Sequence, residues 1–362
     1  MYAGIPHPPG YPVWTIYTWL WTVLLPVGNI AWRVALGTAF SGALAAGLLG
    51  LLVSRGSSLL MEGIEELKAM SGNWESAICM ISGFVAGMLI GFNGFMWSQA
   101  VIAEVYATSV ASFMFVLLFL LRWIYAPHQR RFLYYAMFAF GISFTNHQSL
   151  IVAAMGIEVA IAAADYRLGR NLFLWNSIIY LAGLILKSQK MIGTLDANPA
   201  IFAIFNVVGI GSIAAYLWFA NLTKESFTEF CADALAALAV LFLALVPRLG
   251  PFGLLLSLAA IAGFLKFAWQ NRKLGWEWLT VLICGVCWLV GALFYLYMPI
   301  AGMTNPPMQW GYPRTVEGFW HAFTRGQYEK ANPTDIIGDP MRFITQLGML
   351  GTGIVEEFNW VY

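Results

Sequence analysis

Ten apolar runs, most of them close to the thickness of a bilayer, leave this chain few ways to fold. A membrane-crossing helix needs about 20 predominantly apolar residues. Such runs occupy roughly 30–54, 76–97, 105–125, 132–147, 149–165, 171–187, 199–220, 230–247, 251–269 and 276–298, and an eleventh starts near Met341. Of the 362 residues, 60% are hydrophobic and 10% charged, against about 45–50% and about 25% in soluble domains. Lipid is therefore the expected solvent. The fold class follows: all-α, a polytopic membrane protein of ten to eleven transmembrane helices, read as a single domain over 1–362.

A net charge of +1 lacks the basic footprint of a nucleic-acid partner. Cys284 and Cys287 form a lone C-x-x-C in an apolar run, where a zinc site would want four ligands, so they read as packing residues. No signal peptide is visible, because the first basic residue is Arg33.

Charge sets the orientation, since short cytoplasmic loops collect Lys and Arg. Arg55 and Lys68, then Arg122, Arg130 and Arg131, then Arg167 and Arg170, then Lys224, then Arg272 and Lys273 fall in alternate loops. The intervening short loops hold only Lys187, Lys190 and Arg248. The unusual polar sequence gathers on the other, outer side: the hook "GIPHPPGYPVW" (Gly4–Trp14), "WSQAVIAEVY" (Trp97–Tyr106), "TNHQ" (Thr145–Gln148) and the loop 301–340. Residues 11–25 are aromatic, too short to span and bracketed by Pro12 and Pro26. They read as a helix lying along the outer interface.

Several side chains could carry chemistry there. His7 could contact an anion or relay a proton, or simply pin its loop. Glu104 could act as a base toward a hydroxyl, or pair with Arg33. Asn146 and His147 end an outer helix. Glu158 sits mid-span, where an acid is costly unless paired or working. Asp233 reads as interfacial. Trp310, Tyr312, Trp320 and Tyr328 offer flat faces for a sugar ring or lipid headgroup. Arg314 and Arg325 offer guanidinium forks for a phosphate, with His321 between them. A metal held by His7, His147 and His321 is an alternative that their spacing does not establish.

The segments "HPPGYP", "AWRV", "WSQAVIAEVY", "TNHQ", "NPPMQWG" and "GFWHAFTRGQY", in this order over most of the chain, resemble the membrane family that includes a eukaryotic transmembrane protein O-mannosyltransferase and many bacterial members. The resemblance implies a GT-C type glycosyltransferase with its site on the outer face. Such an enzyme would move a mannose-like sugar from a polyprenyl-phosphate donor to a protein or glycan hydroxyl, with no cofactor. On this reading Glu104 and His7 are the catalytic candidates, and Arg33, Asn146, His147, Trp310, Trp320, Arg325 and Tyr328 bind substrate. The expected home is a bacterial inner membrane with the site facing the periplasm, or a lumenal face in a eukaryote. Members usually carry an acidic "D-S-G-E"-like stretch before the hook, the favoured catalytic base by analogy. Only Met1–Pro6 precede His7 here, none acidic. The expectation is a fragment whose first span and base lie upstream of Met1, inactive as it stands, with Glu104 as the best substitute. A transporter or lipid flippase is the alternative, favoured mainly by Glu158.

Overall fold

The computed structural model describes residues 4–68, 72–197, 199–224, 226–326 and 338–358. Every regular element among them is helical, because a helix satisfies its backbone groups internally where no water can. In chain order the main helices are α1 (Pro12–Leu24), α2 (Ile30–Glu62), α3 (Gly72–Gly91), α4 (Gly94–Ala100), α5 (Tyr106–Tyr125), α6 (Arg130–Asn146), α7 (Ala153–Ala164), α8 (Tyr166–Ser188), α9 (Pro199–Leu222), α10 (Phe227–Ala244), α11 (Pro251–Gln270), α12 (Arg272–Ala292), α13 (Tyr297–Met303), α14 (Val316–Phe323) and α15 (Pro340–Phe358).

All ten apolar runs are mainly helical, and among the described residues eight helices are long and apolar enough to cross a membrane: α2, α3, α5, α8, α9, α10, α11, and α12 continued through α13. The chain is an all-α polytopic membrane protein. The span count of ten to eleven is corrected by length and polarity. Helix α6 has 17 residues, and the run at 149–165 is a 3₁₀ turn (Gln148–Val152) followed by the 12 residues of α7. The eleventh candidate, α15, is a helix but carries polar residues along its whole length. Large apolar side chains face outward, as Phe84 (67% exposed) and Leu255 (63%) do. Lipid, rather than a protein core, is the partner such faces want.

The chain forms two compact units. One contains residues 4–151, 284–326 and 340–358; the other contains 152–283 and the described residues 338–339. In the first, Arg33 fastens α1 to α2. Its guanidinium donates to the carbonyls of Thr22 (2.9 Å), Val27 (2.9 Å) and Gly28 (3.0 Å), which α1 and the turn after it leave without helical partners. A polar relay continues inward: Thr108 Oγ1 donates to Ser41 Oγ (3.1 Å), Ser41 Oγ to Tyr17 Oη (3.1 Å), and Tyr17 Oη to the Gly37 carbonyl (2.8 Å). Helix α6 meets the later part of α12 where Gly141 faces Gly291. A Cβ on Gly141 would lie 3.0 Å from the Gly291 Cα and nearer still to the Trp288 carbonyl. Small residues let membrane helices approach this closely.

In the second unit, the N-terminal ends of α8, α10 and α12 share a buried charge cluster. Arg167 Nη1 lies 2.9 Å from Glu229 Oε1 and 3.9 Å from Glu277 Oε1. Arg170, fully buried, lies 4.0 Å from Asp233 and 3.9 Å from Glu277, and its Nε donates to Asn171 Oδ1 (3.0 Å). Trp278 Nε1 donates to Asp233 Oδ1 (3.0 Å). Asp233 is thus buried rather than interfacial. Glu229 sits in the first turn of α10, where the helix dipole favours negative charge. Ser226 and Glu229 also close a capping box on α10. These contacts bring three of the basic loops to one end, as their charge pattern required. Glu158 accepts from Asn176 Nδ2 (2.6 Å), so this acid of α7 has a structural partner on α8.

Breaking a buried ion pair from one side strands the other charge and costs about 3–5 kcal/mol. Arg170→Met is expected to lower thermal stability in detergent by that order. The triple replacement Arg170→Met, Asp233→Asn, Glu277→Gln should recover part of the loss. A single variant within about 1 kcal/mol of the parent would contradict the cluster's structural role.

Candidate functional site

Four stretches far apart in sequence meet in the first unit. The hook pairs with the loop as an extended strand would. Ile5 N donates to the Met308 carbonyl (2.8 Å), and Trp310 N donates to the Ile5 carbonyl (3.2 Å). Ile5 and Gln309 form a parallel bridge, and Ile5 is completely buried. Tyr297 Oη donates to the Gly4 carbonyl (2.9 Å). The hook then turns through a cis Pro8–Pro9 bond and Gly10, whose N donates to the His7 carbonyl (3.0 Å). Gly10 has φ +87°, and a Cβ there would fall 2.6 Å from Met298 Sδ. Only glycine meets both demands at this position. Behind the turn, Pro12 starts α1 from a fixed φ.

This turn sets His7. Its ring lies edge-on to Tyr11 at 5.0 Å and to Trp310 at 6.3 Å, with Nδ1 3.1 Å from the Pro8 carbonyl. His7 and Trp310 are therefore brought together. The ring is half-buried and Trp310 is half exposed, so one wall of the contact faces outward.

The loop is built on α13 and α14. Thr315 caps α14 by accepting from Gly318 N (3.0 Å). At the other end, Arg325 N donates to the Ala322 carbonyl (3.1 Å) and Gly326 N to the His321 carbonyl (2.8 Å). Arg325 takes a left-handed φ of 54° to close this end, a conformation few non-glycine residues adopt. Trp320 packs edge-on against Phe323 at 5.6 Å while half of its surface stays exposed. Arg314 Nη1 donates to Asn305 Oδ1 (2.9 Å), so this second guanidinium serves the loop itself. A Cβ on Gly311 would meet Ala322 Cβ at 3.1 Å and Pro8 Cγ at 3.7 Å, which places hook, loop and α14 in one contact. Tyr328 lies outside the described residues.

The "TNHQ" corner ends α6 and divides its work among four side chains. Thr145 Oγ1 returns to the Ile142 carbonyl (2.8 Å). Asn146 is fully buried and donates from Nδ2 to Ser112 Oγ (3.4 Å), while its Oδ1 has no partner among the described residues. His147 faces Tyr106 across 5.7 Å and lies close enough to Arg325 to feel its charge. Gln148 Nε2 donates to the Phe323 carbonyl (2.8 Å) and so pins the corner to α14. Phe144, Tyr295 and Phe323 pack edge-on beneath, with Tyr295 and Phe323 4.9 Å apart, and Tyr295 Oη donates to the Phe144 carbonyl (3.1 Å). Next to the corner an apolar cleft of about 350 Å³ runs between α5 and α6, with Ser112 and Ile142 at one end and Phe119 and Tyr135 at the other.

Burial, and then the Arg325 charge, hold the His147 imidazole below its ordinary pKa of 6.5. At pH 7 the corner presents one fixed cation, Arg325, beside a neutral imidazole that can hydrogen-bond in either sense.

Glu104 lies in the short segment between α4 and α5, two residues before Tyr106. Its N donates to the Ile102 carbonyl (3.0 Å), and its half-buried carboxylate has no side-chain partner among the described residues. The alternative of a pair with Arg33 is not what forms, because all three guanidinium nitrogens of Arg33 take carbonyls at the end of α1. Through the Tyr106–His147 contact, the Glu104 segment adjoins the corner. No group of three or more potential metal ligands occurs among the described residues. Gln148 stands inside a motif legible in the sequence, yet only the fold shows what it grips. Tyr295 lies in an ordinary apolar run and gave no signal at all.

Residues 1–169 match the family model described as the protein O-mannosyl-transferase TMEM260 N-terminal domain. A protein named protein O-mannosyl-transferase TMEM260, from Mus musculus, is 31% identical over 97 residues, which are 25% of this chain and 14% of that protein. These matches support an O-mannosyltransferase-like membrane family. No solved structure matches. The matched region holds the hook, Glu104 and the "TNHQ" corner, while the loop that the hook grips lies beyond it.

A folded pKa below the unfolded one means that the unfolded chain binds the proton first. The His147 contribution is complete above about pH 6.5 and is lost as pH falls from there toward the folded value. His147→Gln is expected to flatten the loss of thermal stability between about pH 7.5 and pH 5.5. An unchanged pH slope in that variant would contradict the assignment.

Proposed function

We propose that the chain carries the working face of a membrane glycosyltransferase. It would move a mannose-like sugar from a polyprenyl-phosphate donor to a hydroxyl of a protein or glycan on the outer side. The observation that carries this reading is the convergence of hook, loop and corner. A cation (Arg325), a neutral imidazole (His147) and outward aromatic faces (Trp310, Trp320) belong to one set of contacts joined through Ala322 and Phe323. A charged phosphate, a sugar ring and a lipid chain ask for three different surfaces. The corner offers the first, the tryptophans the second, and the α5–α6 cleft a path for the third.

The chemistry assigns the remaining roles. The acceptor oxygen attacks the anomeric carbon, the bond from that carbon to the phosphate oxygen breaks, and the electron pair leaves with the polyprenyl phosphate. Arg325 stabilises the charge that develops on the leaving phosphate, and His147 donates a hydrogen bond to it. A carboxylate accepts the hydroxyl proton. Glu104, whose segment adjoins the corner, positions the acceptor. His7 holds the Trp310 face. Glu158, the residue that most favoured transport, is held by Asn176.

The test is transfer of mannose from a polyprenyl-phosphate donor to a hydroxyl acceptor by the membrane-embedded protein. Arg325→Ala is expected to weaken donor binding more than Arg314→Ala, because Arg314 is spent on Asn305. Equal losses would contradict the phosphate role. Glu104→Gln is expected to cost less than the roughly 10²–10⁴-fold of a general base, as loss of a positioning residue should. Robust turnover by the present chain, abolished by Glu104→Gln, would instead make Glu104 the base.

A further inference from the structure

Helix α15 is two-faced along its whole length. Phe343, Ile344, Leu347, Leu350, Ile354 and Phe358 recur at intervals of three and four residues and share one arc. Arg342, Thr345, Thr352 and Glu356 lie on the opposite side together with Met341 and Met349, and Gln346 and Glu357 flank the apolar arc. None of its residues is buried, and among the described residues its apolar arc is open: Leu347 is 52% exposed, Leu350 63% and Ile354 54%. Nineteen residues make a rod of about 28 Å. That is long enough to span, but a side that carries Arg342, Thr345, Thr352 and Glu356 is costly to place in hydrocarbon.

The far end of the rod is fixed in position. Glu357 Oε2 accepts from Asn93 Nδ2 (2.7 Å) and from Phe95 N (3.3 Å). Asn93 and Phe95 stand where the span α3 has just ended and α4 begins. Around them Phe92 (67% exposed), Phe95 and Trp97 project outward, and the Phe92 and Trp97 rings stack at 6.0 Å. Aromatic side chains of this kind settle at headgroup level. The Glu357 tie therefore holds the end of α15 at the depth where a half-apolar helix is most stable.

We propose that α15 lies in the headgroup layer of the bilayer, its apolar arc in lipid, anchored through Glu357 to the start of α4. The occupant of the apolar face is the lipid surface itself. The helix carries one arginine against two glutamates, so its attachment comes from apolar burial and needs no anionic lipid. The tie also links this lipid-lying helix to the segment that leads through Trp97 to Glu104. The inference holds whether or not the chain transfers sugar.

The test places single spin labels at Leu347, Leu350, Ile354, Thr345 and Thr352. The protein sits in phosphatidylcholine nanodiscs, with Cys79, Cys231, Cys284 and Cys287 replaced by alanine. The apolar-arc labels are expected to be accessible to oxygen at one shared shallow depth of about 5–10 Å. Thr345 and Thr352 should be accessible to a water-soluble nickel reagent, and adding anionic lipid should leave the pattern unchanged. Glu357→Ala should raise the mobility of the Ile354 label. A depth that passes progressively through the bilayer centre would make α15 a span and overturn the proposal. So would nickel access at every position, or apolar-arc labels shielded from both reagents by protein or a second copy. If the cysteine-free background fails to fold, benzoylphenylalanine at Leu350 in the natural background gives the same decision: lipid adducts support the proposal, and protein adducts or water quenching without adducts overturn it.

Discussion

The backbone pairing of Ile5 with Met308 and Trp310 is the interaction on which the candidate site depends. Two irregular segments some 300 residues apart satisfy each other's N–H and C=O groups, and a buried group left unpaired is costly. The pairing sets the register of everything downstream. Ile5 is buried, so the turn at Gly10 must come against Met298. The turn directs His7 at Trp310, and Pro12 then launches α1 from a fixed point. A weaker pairing would leave a proline hook and an aromatic loop on the same face with no reason to meet.

The corner at Thr145–Gln148 is held with comparable care by different means. Gly141 and Gly291 let α6 and α12 touch, which fixes the height at which α6 ends. Gln148 and the Phe144, Tyr295 and Phe323 rings fix its direction. Only then does His147 come beside Arg325. The cation and the imidazole thus sit on a rigid seat made of parts that have no chemistry of their own. Arg33 illustrates the same economy: its charge goes entirely into holding α1 against α2.

Much of this was legible in the sequence. The apolar runs located every long helix, because lipid imposes length and composition more strictly than water does. The alternating basic loops placed Arg167, Arg170, Lys224 and Arg272 on one side, and the ion pairs at the N-terminal ends of α8, α10 and α12 agree with that. The grouping of hook and loop followed from shared polarity. Less legible were the lengths of α6 and α7, since a 3₁₀ turn at Gln148 has no signature in an apolar run. The buried state of Asp233 was hidden too, because it depends on Arg170 and Trp278 from other helices. The role of Glu357 needed contact with Asn93, 264 positions away. Pattern reveals faces and lengths; it does not reveal which distant partner completes a charge.

The claim that hook, loop and corner form one donor site is tested most directly by a polyprenyl-phosphate mannose analogue carrying a photoreactive diazirine beside its phosphate. The account predicts that irradiation of the membrane-embedded protein labels peptides covering 4–12, 145–148 and 305–326. Excess natural donor should remove that labelling together in all three. Labelling confined to peptides of 152–283, or labelling that natural donor does not displace, would contradict it.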